Sequence, residues 1–291
     1  MKIINDFKEY QLLDMADGMK LESWNGIKLL RPDPQIIWPD KKHPELWNDV
    51  DAVYHRSSSG GGSWEIKNKK FPESWQIHYK DLTFNLKLMG FKHTGLFPEQ
   101  AYNWDLLMNT IKIAKEHGYK EVKVLNLFAY TGGASIACLK AGAHVVHVDS
   151  SRGMVDWSKT NAEATGIADR PIRYIVDDVR KFVKREINRG NKYDIIIMDP
   201  PSYGRGSKSE VWTIEKDLYD LVKMCSEILS DNPLAFIINS YTTGLSKTIL
   251  ETVLELTIKK EGIISSDELC IPLKDSNLVL PCGSYTRWEK K

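Results

Sequence analysis

The chain has 291 residues, of which 42% are hydrophobic, 10% aromatic and 27% charged, so it can bury a sizeable core and is not intrinsically disordered. Its 40 Lys and Arg residues are balanced by 39 Asp and Glu residues, and the formal net charge of +1 excludes strong overall attraction to nucleic acid or to an anionic membrane. No stretch approaches the roughly 18 apolar residues of a membrane span and the start lacks a signal-peptide core, so we expect a cytoplasmic protein with no membrane partner.

Short strand patterns dominate the first third of the chain. Apolar stretches separated by Gly, Pro, Asp and Asn predict strands at residues 10–13, 28–31, 74–79 and 82–89. The run 57–63 contains only Ser and Gly and predicts a flexible loop. We therefore expect a small antiparallel β-rich domain over residues 1–96.

From residue 97 onward, helical and strand patterns alternate. After an amphipathic helix that starts near residue 99, short apolar strands are predicted at 122–128, 144–149, 172–176, 193–199 and 234–240. Helices are predicted at 134–141, 152–165, 179–189, 211–228 and 247–260, and two last strands at 263–271 and 284–288. Apolar strands that alternate with helices predict a parallel sheet covered on both faces. The expected fold of residues 97–291 is α/β and Rossmann-like, mostly parallel, with an antiparallel last strand.

The turn after the first strand of this sheet is the first candidate for ligand binding, because open parallel sheets bind ligands at the carboxyl ends of their strands. Its residues are Asn126, Phe128, Ala129, Tyr130, Thr131, Gly132 and Gly133. Paired glycines let a backbone approach a ligand closely, and a helix start offers free N–H groups. A dinucleotide fingerprint would need glycines earlier in the turn, so a tight pyrophosphate turn is not expected. The glycine pair also fits a turn that only packs the helix on the sheet.

Carboxylates end the next strands. Asp149 ends the second strand, 17 residues after Gly132, close to the offset of about 20 residues at which an acidic residue meets ribose hydroxyls. The alternative is a helix cap. The third strand ends in Asp177 and Asp178, and Asp178 either accepts a hydrogen bond from an adenine amino group or caps the following helix.

The fourth strand ends in a third acidic motif. Its residues are Asp199, Pro200, Pro201, Ser202 and Tyr203. The prolines stiffen the segment, the carboxylate can hold a planar, amine-bearing substrate, and the Tyr ring can stack on it. Three successive strands that end in carboxylates at one sheet edge are hard to explain by capping alone.

These motifs resemble the class I S-adenosylmethionine-dependent methyltransferases. More narrowly, they resemble the bacterial family that methylates large-subunit (23S) ribosomal RNA on cytosine or guanine, in which a small β domain precedes the catalytic domain. The resemblance covers residues 94–291. Residues 94–100 are similar to the segment that leads into the catalytic domain, and residues 283–288 are similar to the last strand.

The resemblance implies S-adenosyl-L-methionine as the cofactor and ribosomal RNA as the partner. It assigns the cofactor to Gln100, Asn126, Phe128, Ala129, Tyr130, Thr131, Gly132, Gly133, Asp149, Ser150, Asp177, Asp178 and Asp199. Within this set, residues 128–133 would contact its methionine and ribose parts, Asp149 the ribose hydroxyls and Asp178 the adenine. The segment from Asp199 to Tyr203 would border the methyl group and the target base.

The target atom depends on whether a cysteine lies at the site. Carbon 5 of cytosine becomes nucleophilic only after a thiolate adds to carbon 6. The cytosine-methylating relatives carry that Cys just after the fifth strand, where this chain has Ser240 and Tyr241. A base nitrogen needs only alignment, because its lone pair can attack the methyl group directly. We therefore predict a base nitrogen over carbon 5.

The four cysteines are scattered singly, without the paired spacing of a zinc site or a redox pair, so we expect reduced thiols and no metal. Cys138 and Cys225 lie in the apolar phase of predicted helices and are expected in the core. Cys270 and Cys282 lie in the last strand region, from which they would need an unexpected route to the site.

Basic residues suggest where RNA could bind. A cluster on and after the helix at 179–189, with Arg180, Lys181, Lys184, Arg185, Arg189 and Lys192, fits a solvated helix face better than a binding face. Arg205 and Lys208 follow the Asp-Pro-Pro motif, close to where a flipped base would enter. In the first domain, Arg56, Trp64 and residues 67–70 either grip an RNA backbone or form an ordinary hairpin surface.

Three other functions remain open. The first is methyl transfer to a protein side chain or a small molecule, which the near-neutral charge permits. The second is a non-catalytic RNA-binding assembly factor with the same fold, against which the three carboxylates argue. The third and least favoured is an NAD-dependent oxidoreductase, because the early glycines of the turn are missing.

Overall fold

A computed structural model describes residues 1–4, 6–57, 61–205 and 211–291. Residues 58–60 of the predicted flexible loop lie outside the described residues, as do Lys208 and the side chain of Arg205. The chain forms two compact units. The α/β unit comprises Met1–Lys2, Asn103–Leu269 and Cys282–Lys291, and the β unit comprises Ile3–Tyr102 and Cys270–Pro281. The β unit is thus completed by a segment from near the end of the chain, whereas the sequence places all residues after 96 in the second domain.

The β unit contains a five-stranded sheet and a separate hairpin. Along the sheet the strands follow chain order, β2 (Tyr10–Ala16), β3 (Met19–Trp24), β4 (Ile27–Pro32), β5 (Ala52–Arg56) and β6 (Gly62–Ile66), and the hairpin is β7 (Trp75–Tyr79) with β8 (Leu82–Leu86). Short 3₁₀ helices lie at Pro44–Asn48 and Pro98–Gln100. Neighbouring strands are antiparallel except β4 and β5, which are parallel. Two details of the sequence prediction are therefore wrong, because the sheet is not purely antiparallel and Gly62 and Ser63 belong to a strand rather than to the loop.

A buried ion pair crosses the core of the β unit. The Arg31 guanidinium donates to both carboxylate oxygens of Glu22, at 2.6 and 2.8 Å, and the Tyr10 hydroxyl donates to the same carboxylate at 2.8 Å. Burial opposes ionisation of Glu22, but Arg31 and Lys20, with the hydrogen bonds from Arg31 and Tyr10, lower its pKa to about 2. The carboxylate therefore stays charged inside the unit.

The α/β unit is built on an eight-stranded sheet in the order β1–β16–β17–β15–β12–β9–β10–β11. The strands are β1 (Lys2–Ile3), β9 (Lys123–Leu127), β10 (His144–Asp149), β11 (Ile172–Val176), β12 (Ile195–Met198), β15 (Ala235–Ser240), β16 (Ile263–Pro272) and β17 (Val279–Glu289). Strands β9 to β12 and β15 are parallel, and β17 pairs antiparallel with β15. This confirms the predicted α/β sheet with an antiparallel strand. Strand β1 lies at one edge of the sheet and was not predicted from the sequence.

Within the described residues, six helices and one small hairpin accompany this sheet. The helices are α1 (Ala101–Glu116), α2 (Gly133–Lys140), α3 (Arg152–Ala164), α4 (Val179–Arg189), α5 (Ile214–Glu227) and α6 (Lys247–Thr257). The helix predicted from residue 211 begins only at Ile214, because residues Val211–Thr213 form strand β14, which pairs with β13 (Tyr203–Arg205). Every helix in the described part of the chain is too short or too polar to cross a membrane.

The sheet topology locates the site. From the central strand β9, the chain moves outward through β10 and β11 on one side and through β12 and β15 on the other. The strand order thus reverses beside β9, and ligands of open parallel sheets bind at the carboxyl ends next to such a point. The strands here are buried on both faces, with Leu125, Ile197 and Ile238 all at most 2% exposed.

Candidate active site

The loop after β9 adopts an uncommon backbone conformation. Phe128 and Tyr130 have positive φ angles of 54° and 51°, and Gly132 follows with 86°. Non-glycine residues in this region store roughly 1–3 kcal/mol each, and they persist only where surrounding contacts hold them. Here the Ala129 N–H donates to the Val148 carbonyl at 3.0 Å. The loop is therefore fixed to β10 rather than free to relax.

Two asparagines hold this loop and the strand before it. Asn161 of α3 donates to the Thr131 carbonyl at 2.9 Å. Asn126 donates to the Ser135 hydroxyl of α2 at 2.9 Å, and Ser135 is 3.0 Å from Nδ1 of the buried His147. Burial lowers the pKa of His147 to about 3, so the ring is neutral. The side chain of Asn126, which the resemblance assigns to the cofactor, donates to this buried network.

The glycine pair allows close helix packing. A Cβ on Gly133 would lie 2.9 Å from the indole of Trp104 on α1, and a Cβ on Gly132 would overlap the Ser158 hydroxyl of α3. The positive φ of Gly132 also disfavours other residues. Packing of helices on the turn, the alternative drawn from the sequence, thus explains both glycines.

Asp149 fixes the conformation of the same loop. Its Oδ2 accepts from the Tyr130 N–H at 2.9 Å and its Oδ1 accepts from the Ser151 N–H at 2.8 Å. The N-cap of α3 is Ser151, so Asp149 is not the helix cap that the alternative proposed. Each carboxylate oxygen keeps a second lone pair for a ligand. Burial raises the pKa of Asp149, and the two N–H donors oppose that rise.

The end of β11 differs from the end of β10. Asp178 is the N-cap of α4 and accepts from the Lys181 N–H at 3.0 Å, so the capping interpretation holds for this residue. Asp177 accepts from the Asp178 N–H at 2.9 Å and forms an ion pair with Arg185. Both carboxylates are half-buried and already engaged in local bonds.

The three arginines of the basic cluster on and after α4 form ion pairs. Arg180 pairs with Asp217 at 2.9 Å, and Arg189 pairs with Glu186 at 2.9 Å. Together with the Arg185 ion pair, these contacts agree with a solvated helix face rather than a polyanion site.

The Asp-Pro-Pro segment is anchored by the β13–β14 hairpin. Asp199 follows β12 directly and is half-buried, and Pro200 is buried. The Trp212 indole N–H donates to the Pro201 carbonyl at 2.6 Å, and its ring lies 5.2 Å from that of Phe128. The Pro201 carbonyl therefore already accepts a hydrogen bond from within the protein.

The substrate side of the segment is open. Tyr203 is 52% exposed, which leaves its ring accessible for stacking. The Ser202 hydroxyl is 2.6 Å from the Thr242 hydroxyl, which joins this segment to the loop after β15. Ser240 is buried and accepts from the Thr242 N–H at 3.2 Å, while Tyr241 is half-buried. The Ser240 hydroxyl thus stabilises a turn in this structure.

Cys282 lies closer to this edge than the sequence indicated. Because β17 runs antiparallel to β15, the start of β17 meets the end of β15. A Cβ on Gly283, the neighbour of Cys282, would lie 2.8 Å from the Ser240 carbonyl. The backbone beside Cys282 therefore lies next to the end of β15, a proximity that no local sequence pattern indicates. The other three cysteines are buried, and burial raises the thiol pKa of Cys138 and Cys225 well above the usual range.

The remaining predicted residues are less informative. Gln100 belongs to the β unit, where it is buried at the end of the 3₁₀ helix Pro98–Gln100. Ala129 is buried and Ser150 is exposed. Sequence reasoning missed Trp212 and Asn161, which hold the two loops. A polar Asn on the apolar face of α3 was a usable signal, whereas nothing in the short β14 segment marked Trp212.

Comparisons with known proteins agree with this geometry. Residues 52–257 match a family model described as S-adenosylmethionine-dependent methyltransferase. A solved SAM-dependent methyltransferase from Agrobacterium tumefaciens is 33% identical, with a TM-score of 0.94, and the match covers 100% of this chain and 93% of that one.

Curated relatives cover less of their own length. The ribosomal RNA large subunit methyltransferase K/L of Shewanella frigidimarina is 30% identical over 192 residues, which is 65% of this chain and 25% of the relative. The ribosomal RNA large subunit methyltransferase I of Photobacterium profundum is 30% identical over 181 residues, which is 62% of this chain and 43% of the relative. The matches thus span a quarter to less than half of these relatives.

Proposed function

We propose that this chain, which belongs to the S-adenosylmethionine-dependent methyltransferase family, methylates a base of large-subunit ribosomal RNA. The observation that carries the proposal is the half-buried Asp199, which follows β12 beside the switch point and precedes a rigid, Trp-anchored segment. The similarity to the two ribosomal RNA methyltransferases supports RNA as the acceptor. The reaction would take place in the cytoplasm, where ribosomal subunits assemble.

The residues at the end of β9 and β10 fit S-adenosylmethionine. Asp149 is a half-buried carboxylate with free lone pairs, suited to two ribose hydroxyls, and the loop at 128–132 is held in place by hydrogen bonds to Val148, Asp149 and Asn161. Gln100, Asp177 and Asp178 remain proposed contacts. When bound, the cofactor supplies a methyl group on a sulfonium centre.

Asp199 would orient the acceptor. Its carboxylate accepts a hydrogen bond from the exocyclic amine or ring N–H of the base, which aligns a nitrogen lone pair with the methyl carbon. Tyr203 would stack on the base from the open side, and Arg205 and Lys208 would meet the neighbouring phosphates. As the nitrogen–carbon bond forms, the carbon–sulfur bond breaks, and any excess proton on nitrogen leaves to solvent.

A base nitrogen remains the preferred target. No covalent catalyst is required for it, and three of the four cysteines are buried. Cys282 is the candidate nucleophile if the target is instead carbon 5 of cytosine, because it is half-buried near the end of β15. This makes the cysteine a discriminating probe of the target atom.

The test uses methyl-labelled S-adenosylmethionine with ribosomal RNA, protein extract and small metabolites from cells that lack the gene. We expect label in large-subunit RNA, on a base nitrogen after digestion to nucleosides. Asp199→Ala should abolish the transfer, Cys282→Ala should retain it, and Asp231→Ala, an exposed carboxylate just before β15, serves as the matched control. Label only in protein or metabolites would contradict the RNA substrate, and loss with Cys282→Ala would contradict the nitrogen target.

A further inference from the structure

One face of the five-stranded sheet in the β unit combines cations with aromatic rings. Lys20 lies opposite Arg31 in the β3–β4 register, and Tyr54 lies opposite Trp64 in the β5–β6 register. The parallel pairing of β4 with β5 places Arg31 on the same face as Tyr54. Because side chains alternate along a strand, Arg56, two residues after Tyr54, shares this face.

The segment that contains Phe91 and Lys92 lies across this face. The Arg31 guanidinium donates to the Lys92 carbonyl at 2.9 Å, and the Trp64 indole N–H donates to the Phe91 carbonyl at 3.2 Å. The Lys92 ammonium lies 3.4 Å from the Pro32 carbonyl. These contacts fix the backbone of the segment while Phe91 stays 52% exposed.

The cations around this face differ in how far carboxylates neutralise them. Arg31 is paired with Glu22, and Lys20 lies 3.3 Å from Asp33. Arg56 is exposed and forms no ion pair with a described residue.

The lowered pKa values of Lys92 and His93 agree with an excess of positive charge around this segment. Burial lowers the pKa of Lys92, and the charges of Lys20, Arg31 and Arg56 lower it further, against the opposing effect of Asp33. The neighbouring His93 is neutral, because burial and the charges of Arg31, Lys92 and Lys20 lower its pKa to about 3.

We propose that Arg56, Trp64, Phe91 and Lys92, here called the β-unit patch, bind a single-stranded segment of the RNA substrate. Arg56 and Lys92 would contact phosphates, and the exposed ring of Phe91 would stack on a base. The exposed Arg56 and the half-buried Lys92, beside aromatic rings, fit this partner better than a membrane, whose recognition typically needs clusters of roughly 4–8 basic residues. The inference rests on the proposed function, since it names how the same RNA is held.

Fluorescence anisotropy with the full chain and a labelled 12-nucleotide single-stranded RNA tests the β-unit patch. Stacking of one base predicts that Phe91→Ala weakens binding by about 5- to 150-fold. Arg56→Ala should reduce the slope of log affinity against log salt by about 0.7, the value for one phosphate contact. Lys8→Ala and Ile37→Ala, exposed residues of the same unit outside the patch, should bind like the wild type.

The inference is overturned if both patch variants bind within twofold of the wild type with an unchanged salt slope. It is also overturned if the control variants lose as much affinity for the RNA as the patch variants do. The same holds if the patch variants bind RNA like the wild type and lose only binding to anionic vesicles or to acidic peptides. Because all four substituted side chains are exposed, unaltered thermal unfolding should accompany the result.

Methyl transfer, measured in parallel, separates this inference from the proposed function. Transfer to ribosomal RNA without any patch effect keeps the function and rejects the patch. RNA binding that depends on the patch, without methyl transfer to RNA, keeps the patch and rejects the proposed function.

Discussion

Replacement of Asp149 by Asn tests the assignment of the cofactor site most directly. The carboxylate accepts from two backbone N–H groups, those of Tyr130 and Ser151, through different oxygens. An Asn side chain of the same shape has one acceptor oxygen, so one of these N–H groups must face an NH₂ donor. The substitution therefore removes one hydrogen bond to a charged group without leaving a large cavity.

On the proposed assignment the Asp149 carboxylate also accepts hydrogen bonds from the ribose hydroxyls, and the expected loss of cofactor affinity follows from the one charged acceptor that Asn does not supply. A hydrogen bond to a charged group contributes about 1.5–3 kcal/mol, and a tenfold change in affinity corresponds to about 1.4 kcal/mol. We therefore expect Asp149→Asn to weaken the binding of S-adenosylmethionine by roughly 10- to 150-fold. The loss should appear in the dissociation constant, because the positive-φ loop beside Asp149 loses one of its fixed points.

Isothermal titration calorimetry with S-adenosylmethionine measures this effect. Asp231→Asn is the matched control. Asp231 is an exposed carboxylate that precedes the amino end of β15, whereas Asp149 lies at the carboxyl end of the parallel strand β10. Binding by Asp149→Asn within threefold of the wild type would refute the assignment. An equal loss in Asp231→Asn would show that the effect is not local.

The same residue makes a prediction about pH. Burial raises the pKa of Asp149 above its ordinary value of 3.8. Cofactor binding needs the ionised acceptor, so affinity should begin to fall at a higher pH than an exposed Asp would give. For folding the sign is opposite, since a carboxyl with a raised pKa stabilises the fold at low pH and loses that contribution as the pH rises through the folded pKa.

Three further predictions follow from packing and burial. Gly133→Ala should lower the free energy of unfolding by about 1–3 kcal/mol, and Trp104→Phe in the same chain should recover part of it, as denaturant titration would show. Glu22→Gln should cost about 3–5 kcal/mol, because it leaves Arg31 buried without its partner. Since the pKa of Glu22 is lowered to about 2, the wild type should lose this contribution as the pH falls from about 4.5 through 2, whereas the acid titration of the variant lacks that step. Iodoacetamide at pH 8 should leave Cys225 unmodified in the native chain, as mass spectrometry would test, because burial raises its thiol pKa and excludes the reagent.

The parallel strands could be predicted because they are short apolar runs that alternate with helices ending at glycines, whereas their order in the sheet was not predicted. The positions of the carboxylates could be predicted because each directly follows one of these apolar runs. Their roles could not be predicted. Sequence alone could not distinguish Asp149, which holds a loop, from Asp178, which caps a helix, because both follow a strand and precede a helix.

The misses have identifiable physical causes. The β13–β14 hairpin has strands of three residues each, too short for a periodic signal. The position of Cys282 depends on the antiparallel register of β17 with β15, which no local pattern encodes. The face shared by Arg56 and Arg31 depends on the parallel pairing of β4 with β5, which are separated by a long connection without strands.

The segment Cys270–Pro281, which completes the β unit, has a consequence for synthesis on the ribosome. Within the β unit, its Lys274 N–H donates to the Leu12 carbonyl at 2.9 Å, and the Ile4 N–H donates to the Cys270 carbonyl at 3.2 Å. These bonds cannot form until the last segment has emerged, although Tyr102 is made long before it. At about 5–20 residues per second, the wait is on the order of ten to thirty seconds. During that time the nascent β unit exposes an unpaired edge, and a deletion of residues 270–281 should leave the rest of that unit incompletely folded.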